Sequence, residues 1–228
     1  VTSLEHRVKV SLRSASMLAR VAIVDPELTL ACPPSVTAHA GLDALVQCIE
    51  PFVSSFANPL TDGFCREGIR RGASGLRRAY ADGTDLEART DVALCSLLSG
   101  LALANGKLGA AHGLAGPLGG YLGAPHGAIT ASVMVEVCEF NIANGSADTV
   151  RRYAEVAELL TGNREPTGLL DWWNETTAEL GAEGLAALGL TEDGIELVSQ
   201  AAAAASSTKG NPVAVTAADL AGILRRSL

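Results

Sequence analysis

The stretch TAHAGLDALVQCIEPFVSS, residues 37–55, reads as a helix over about 37–52, part of a helical pattern that starts at Pro33 and runs to the end of the chain. Asp43 and Gln47 are four residues apart and therefore share one face of that helix, each carrying an oxygen donor. Asp43 stands among Leu42, Ala44 and Leu45, where an ionised carboxylate is costly to bury unless a cation or hydrogen-bond donors compensate it. The plainer alternative for Asp43 is a first-turn acid that favours the helix dipole after a break at Gly41. Gln47 by itself reads as a half-exposed polar residue.

Working outward, punctuation divides the pattern into eight or nine helices. After SSFANPLTD a helix spans about 62–80, and Asp85 is placed to cap one over about 86–104. The Gly-rich NGKLGAA leads into a helix bearing His112, which Gly116-Pro117 and Gly119-Gly120 are expected to cut short, and APHG puts His126 at the mouth of the next, to about 141. Ser146 caps DTVRRYAEVAELL, Pro166 opens TGLLDWWNETTAEL, Thr191 precedes EDGIELVSQAAAAASS, and Thr216 with Asp219 forms a capping-box-like start for LAGILRRSL. Of the adjacent Trp172 and Trp173, one is expected to pack in the core.

Composition agrees with helix. The 228 residues are 48% apolar but only 4% aromatic, rich in Ala, Leu and Gly, which suits close helix packing better than a β-sandwich. A chain of this length buries roughly 70–75% of its unfolded surface, enough for a core without staples. The net charge of −8 argues against nucleic acid, and Arg70–Arg71, Arg77–Arg78, Arg151–Arg152 and Arg225–Arg226 read as solvated helix faces. Cys32, Cys48, Cys65, Cys95 and Cys138 are an odd number without CxxC spacing, so buried thiols in a reducing compartment are expected and nothing supports a catalytic cysteine. No stretch reaches membrane-span length, since VALCSLLSGLALANG is short and broken by Ser and Gly. With no signal peptide visible the expected location is cytoplasmic, and the sequons at Asn144 and Asn174 are chance matches.

Residues 1–32 differ from the rest. VKVSL and RVAIVDP are short β-branched runs with strand character, too few to form a sheet alone, so they read as remnants of a sheet completed elsewhere. Val1 is expected to begin mid-element, and an exposed strand edge invites a second copy, hence a homodimer.

The run GAAHGLAGPLGGYLGAPHG, residues 109–127, holds two of the four histidines, His112 and His126, fourteen residues apart on either side of a Gly/Pro-rich turn. Two neutral imidazoles brought together need only one or two oxygen donors to complete a first-row divalent site. Each alone would more often be a satisfied packing residue.

Taken in order, VDPELTLACPPSVTAHAGLDALVQCIEPFVSSFANPLTD, LGAAHGLAGPLGGYLGAPHG and SSTKGNPVAVT resemble the C-terminal half of the iron-containing (group III) alcohol dehydrogenases, relatives of glycerol dehydrogenases, maleylacetate reductases and dehydroquinate synthases. The resemblance covers nearly the whole chain. It implies an all-α, multi-helix C-terminal domain of the dehydroquinate synthase-like fold over 33–228, with β-strand remnants over 1–32 that link to a dinucleotide-binding domain missing from this chain. It also implies a divalent metal, Fe2+ or Zn2+, between the two domains, with ligand positions falling on Asp43, Gln47, His112 and His126.

Three departures qualify the resemblance. Gln47 stands where iron-dependent members carry His, replacing a nitrogen donor with a neutral amide oxygen, and is either a weak fourth ligand or a partner of the ligands. Gly116 stands where many members have a further His, a role for which His39 is a candidate substitute. The Gly-rich phosphate-binding loops have no counterpart, so no residue here is assigned to cofactor binding, and none is assigned a catalytic role. The implied activity is metal-dependent, NAD(P)-linked interconversion of a small-molecule alcohol with an aldehyde or ketone, this chain supplying the metal-binding half. The alternatives are a non-catalytic metal-binding or structural helical fragment and, ranked lower, a synthase or lyase of the dehydroquinate synthase type.

Overall fold

The structure is a computed structural model describing Thr2–Ser3, Val8–Lys9 and residues 14–17 and 19–228. It is all-α. The helices are α1 (Pro34–Val53), α2 (Pro59–Ala81), α3 (Leu86–Gly106), α4 (Ala110–Leu122), α5 (His126–Asn144), α6 (Ala147–Thr161), α7 (Gly168–Glu179), α8 (Glu192–Ala204) and α9 (Ala217–Arg226). Two antiparallel strands, β1 (Thr2–Ser3) and β2 (Val8–Lys9), pair Thr2 with Lys9 and Ser3 with Val8.

Among the described residues, α2, α3, α6 and α9 start where a side chain caps them. Asp85 accepts from Ala88 N at 2.9 Å, Ser146 from Thr149 N at 3.2 Å, and Thr216 and Asp219 close a reciprocal capping box on α9. Thr191 precedes α8 as expected but makes no such side-chain bond. Helices α1, α2 and α3 pack as one group, α4, α8 and α9 form a second, and α6 and α7 close the side of α5. Helices α1 and α5 run against each other through the middle, and one continuous core joins Leu42, Leu45 and Ile49 of α1 to Leu114 of α4, Ile129 of α5 and Ile223 of α9.

Several expectations change. RVAIVDP forms no strand: Val21–Val24 have no partner strand among the described residues, Ile23 is 87% exposed, and Asp25 instead caps a 3-10 turn, Pro26–Thr29, by accepting from Glu27 N. Of VKVSL, Val8–Lys9 is β2, while residues 10–12, like Val1, lie outside the described residues. Gly41 does not break α1, which passes through it beneath Leu76. Helix α4 is not cut short at Gly116-Pro117 either. Proline in a helix interior costs about 3 kcal/mol, but Leu114, Ala115 and Leu118, all fully buried, hold the helix in register across it until Gly123 ends it at φ +69°.

The arginine pairs are not uniformly solvated, because neighbouring helix positions point in different directions. Arg152 turns inward and grips both oxygens of Asp62 at 3.0 Å while donating to the Phe52 carbonyl at 2.7 Å. Arg77 donates to Thr176 Oγ1 at 2.7 Å and lies over the Trp172 ring. Trp173 is the core tryptophan, its Nε1 donating to the Ala131 carbonyl at 3.0 Å. All five cysteines are free and four are buried, and burial pushes the Cys65 thiol up to about 12. Among the described residues no single helix is long and apolar enough to cross a membrane.

Candidate metal centre

Asp43, in the third turn of α1, His112, in the first turn of α4, and His126, the first residue of α5, meet where the three helices converge. One ligand atom from each lies within 4.8 Å of the others. Asp43 Oδ1 is 3.5 Å from His112 Nε2 and 3.8 Å from His126 Nε2, and the two imidazole centroids are 5.4 Å apart. Ligands about 2.1 Å from a shared ion sit about 3.4 Å apart in a tetrahedron, so the spacing suits one cation.

The approach of α5 to α1 that creates this cluster depends on Gly127. A Cβ there would stand 1.9 Å from the His39 carbonyl oxygen, so any larger residue would push the start of α5, and His126 with it, away from Asp43.

The electrostatics match a cationic occupant. Burial pushes the Asp43 carboxyl up, but His112, His126 and the Thr130 hydroxyl, which donates to Oδ1 at 3.0 Å, together outweigh it and hold Asp43 below the usual carboxylate range. Burial opposes charging His112, yet the carboxylates of Glu50 and Asp43 win and raise its pKa to about 9. His112 Nε2 is buried and makes no hydrogen bond, whereas its Nδ1 donates to Glu50 Oε2 at 2.6 Å. Asp43 Oδ1, at 3.5 Å, is the acceptor facing Nε2, and coordination of a metal by Nε2 would replace that long contact with a ligand bond. Asp43, His112 and His126 thus fit a divalent metal by donor type, spacing and burial.

Gln47 stands one turn along α1 from Asp43, as expected, and donates Nε2–H to Asp43 Oδ2 at 2.6 Å. Its Oε1 accepts from the Ser99 hydroxyl at 3.3 Å, so the amide is engaged on both sides and orients Asp43. His39 lies outside the three-residue cluster, contributing its backbone to the contact with Gly127. Gly116 opens onto empty space, with nothing within 4 Å of where a Cβ would stand.

Sequence reasoning missed Glu50 and Thr130. Glu50 is seven residues after Asp43 and three after Gln47, so it falls on the same helix face, and Thr130 is one turn after His126. Both spacings were readable, but an acid beside Pro51 and a threonine in an apolar helix carry no signal until α4 and α1 are placed against them.

Comparison with known proteins identifies the family of the chain. The family described as "Fe-containing alcohol dehydrogenase family, C-terminal" matches residues 37–228. The chain is 36% identical over 228 residues to the 4-hydroxybutyrate dehydrogenase of Cupriavidus necator, covering 96% of this chain and 59% of that protein. It is 33% identical over 216 residues to the choline dehydrogenase of Bacillus subtilis (strain 168), covering 93% and 54%. Among solved structures, an archaeal halo-thermophilic alcohol dehydrogenase from a Red Sea brine pool superposes with TM-score 0.94 at 27% identity, over all of this chain and 59% of that one. The chain thus spans little more than half the length of these relatives. With the match running from the Asp43 helix through both histidine helices to Leu228, the chain belongs to the Fe-containing alcohol dehydrogenase family and corresponds to its C-terminal part.

Proposed function

We propose that this chain is the metal-binding half of an NAD(P)-linked alcohol dehydrogenase, or aldehyde or ketone reductase, with Asp43, His112 and His126 as the protein ligands of a divalent ion, Fe2+ or Zn2+. The observation that carries the reading is the convergence of Asp43 Oδ1 with both histidine Nε2 atoms from three separate helices. The names of the relatives above, dehydrogenases acting on 4-hydroxybutyrate, choline and alcohols, support the reaction class.

A divalent ion held by Asp43, His112 and His126 would supply Lewis-acid polarisation of an alcohol or carbonyl oxygen, with NAD(P) as the hydride carrier of the reaction class. The chain's own residues contribute orientation and charge. Asp43 provides the anionic ligand, fixed by Gln47 and Thr130, while Glu50 holds the His112 ring. Gln47, committed to Asp43 and Ser99, acts beside the ligands instead of as a fourth donor. Gly116 leaves open space one turn from His112, suited to a small substrate.

The complete protein is read as a cytoplasmic homodimer. Five free cysteines support a reducing compartment, and exposed Val21, Ile23 and Val24 support a covering surface. Light scattering on the complete protein tests the dimer. For the activity, kinetics with NAD+ and small alcohols is the test: metal-dependent turnover lost in His112→Ala and His126→Ala supports the reading, and turnover unaffected by both overturns it.

A further inference from the structure

Helix α4 is preceded by Gly109, which has no side chain with which to cap it. Two residues from elsewhere do the capping. Glu50, on α1 and only 4% exposed, accepts from Ala111 N through Oε1 at 2.7 Å, and through Oε2 it accepts from His112 Nδ1 at 2.6 Å. Asn211, from the SSTKGNPVAVT segment, accepts from Ala110 N through Oδ1 at 3.2 Å. Its own amide donates to Asn141 Oδ1 at 2.7 Å and to the Val213 carbonyl at 2.8 Å, and Asn141 in turn donates to the Tyr153 hydroxyl at 3.0 Å. The first turn of α4 is therefore clamped from two directions by buried side chains.

We propose that Glu50 is the positioning residue of the metal centre: by bridging Ala111 N and His112 Nδ1 it fixes the rotation of the imidazole and the tautomer whose Nε2 lone pair faces Asp43, while Asn211 secures the adjacent amide. This rests on the metal reading above.

A carboxylate oxygen only accepts, so the ring nitrogen facing Glu50 must carry the hydrogen, and in the neutral ring the other nitrogen then keeps the lone pair that a metal requires. The negative charge also sits at the helix N-terminus, where the dipole favours it. Replacing Glu50 by glutamine inverts this logic with little change of shape. The amide oxygen still accepts from Ala111 N, the NH2 group turns to His112 Nδ1, and the ring proton moves to Nε2, which then points an N–H at the ligand position.

The test is Zn2+ affinity by competition with a chromogenic chelator, together with the visible absorption spectrum of the Co2+-loaded chain, for the parent, Glu50→Gln and Glu50→Asp. The expected result is an affinity about 10–100-fold lower for E50Q, with shifted Co2+ bands, and partial recovery in E50D, which keeps the acceptor but shortens its reach. Shifted bands separate positioning from a general loss of stability. A parent that binds metal alongside an E50Q variant with the parent's affinity and spectrum overturns the positioning role and leaves the metal reading intact. A parent that binds neither ion overturns both. Should E50Q not fold, E50D decides: reduced affinity supports the role, and the parent's affinity and spectrum overturn it.

Discussion

Gln47 donates its side-chain amide to Asp43 Oδ2 at 2.6 Å across a single turn of α1, while the opposite oxygen of Asp43 faces both histidines. The two residues divide the work, one facing the centre and the other holding it. Gln47→Ala should therefore lower divalent-metal affinity by only about tenfold, the scale of a lost orienting partner, whereas His112→Ala should abolish measurable binding. Calorimetric titration of the two variants compares the effects directly, and equal losses would mean that Gln47 is itself a ligand.

Metal binding should depend steeply on pH. With the His112 pKa near 9 in the metal-free chain, a proton competes with the metal below that value, so apparent affinity should fall by about tenfold per pH unit on acidification. The metal-free fold should show the opposite trend. A histidine pKa raised above its ordinary 6.5 contributes stability that is fully present below 6.5 and is lost as pH rises through about 9. Chemical denaturation at several pH values, with and without Zn2+, measures both slopes.

Gly127→Ala should weaken the fold and the site together. The added Cβ meets the His39 carbonyl oxygen, which belongs to the backbone and cannot rotate away, so α5 must shift from α1. The expected cost is about 1–3 kcal/mol in urea unfolding, with a loss of metal affinity as His126 moves away from Asp43. Gly100→Ala, facing open space in α3, is the control that should leave metal affinity at the parent value.

Arg152→Ala probes the packing of α6 without touching the centre. It leaves Asp62 and the Phe52 carbonyl, both buried, short of a partner, and should cost about 2–3 kcal/mol in urea denaturation with no change in metal affinity.

Much of this was readable from residues that act locally. Asp85, Ser146 and the Thr216–Asp219 pair mark helix starts because capping depends on the next three residues alone. Asp43, His112 and His126 stand out because a carboxylate in an apolar helix and two histidines at the ends of a Gly/Pro-rich run are chemically conspicuous. The rest depends on neighbours distant in the chain. Pro117 reads as a helix breaker until the burial of Leu114 and Leu118 is known, and Val21–Val24 read as a strand although no partner strand lies beside them among the described residues. Glu50 becomes meaningful only when α4, about sixty residues later, is placed with its first turn against it. Arg152 looks like a surface charge until Asp62 of α2 comes to meet it.

The central claim is that Asp43, His112 and His126 hold one divalent ion. Elemental analysis of the chain purified without chelator and reconstituted with Zn2+ or Fe2+, beside the His112→Ala/His126→Ala double variant, tests it most directly. The account predicts about one bound ion per chain in the parent and none in the double variant. A parent that takes up no metal, or a double variant that keeps it, would contradict the account.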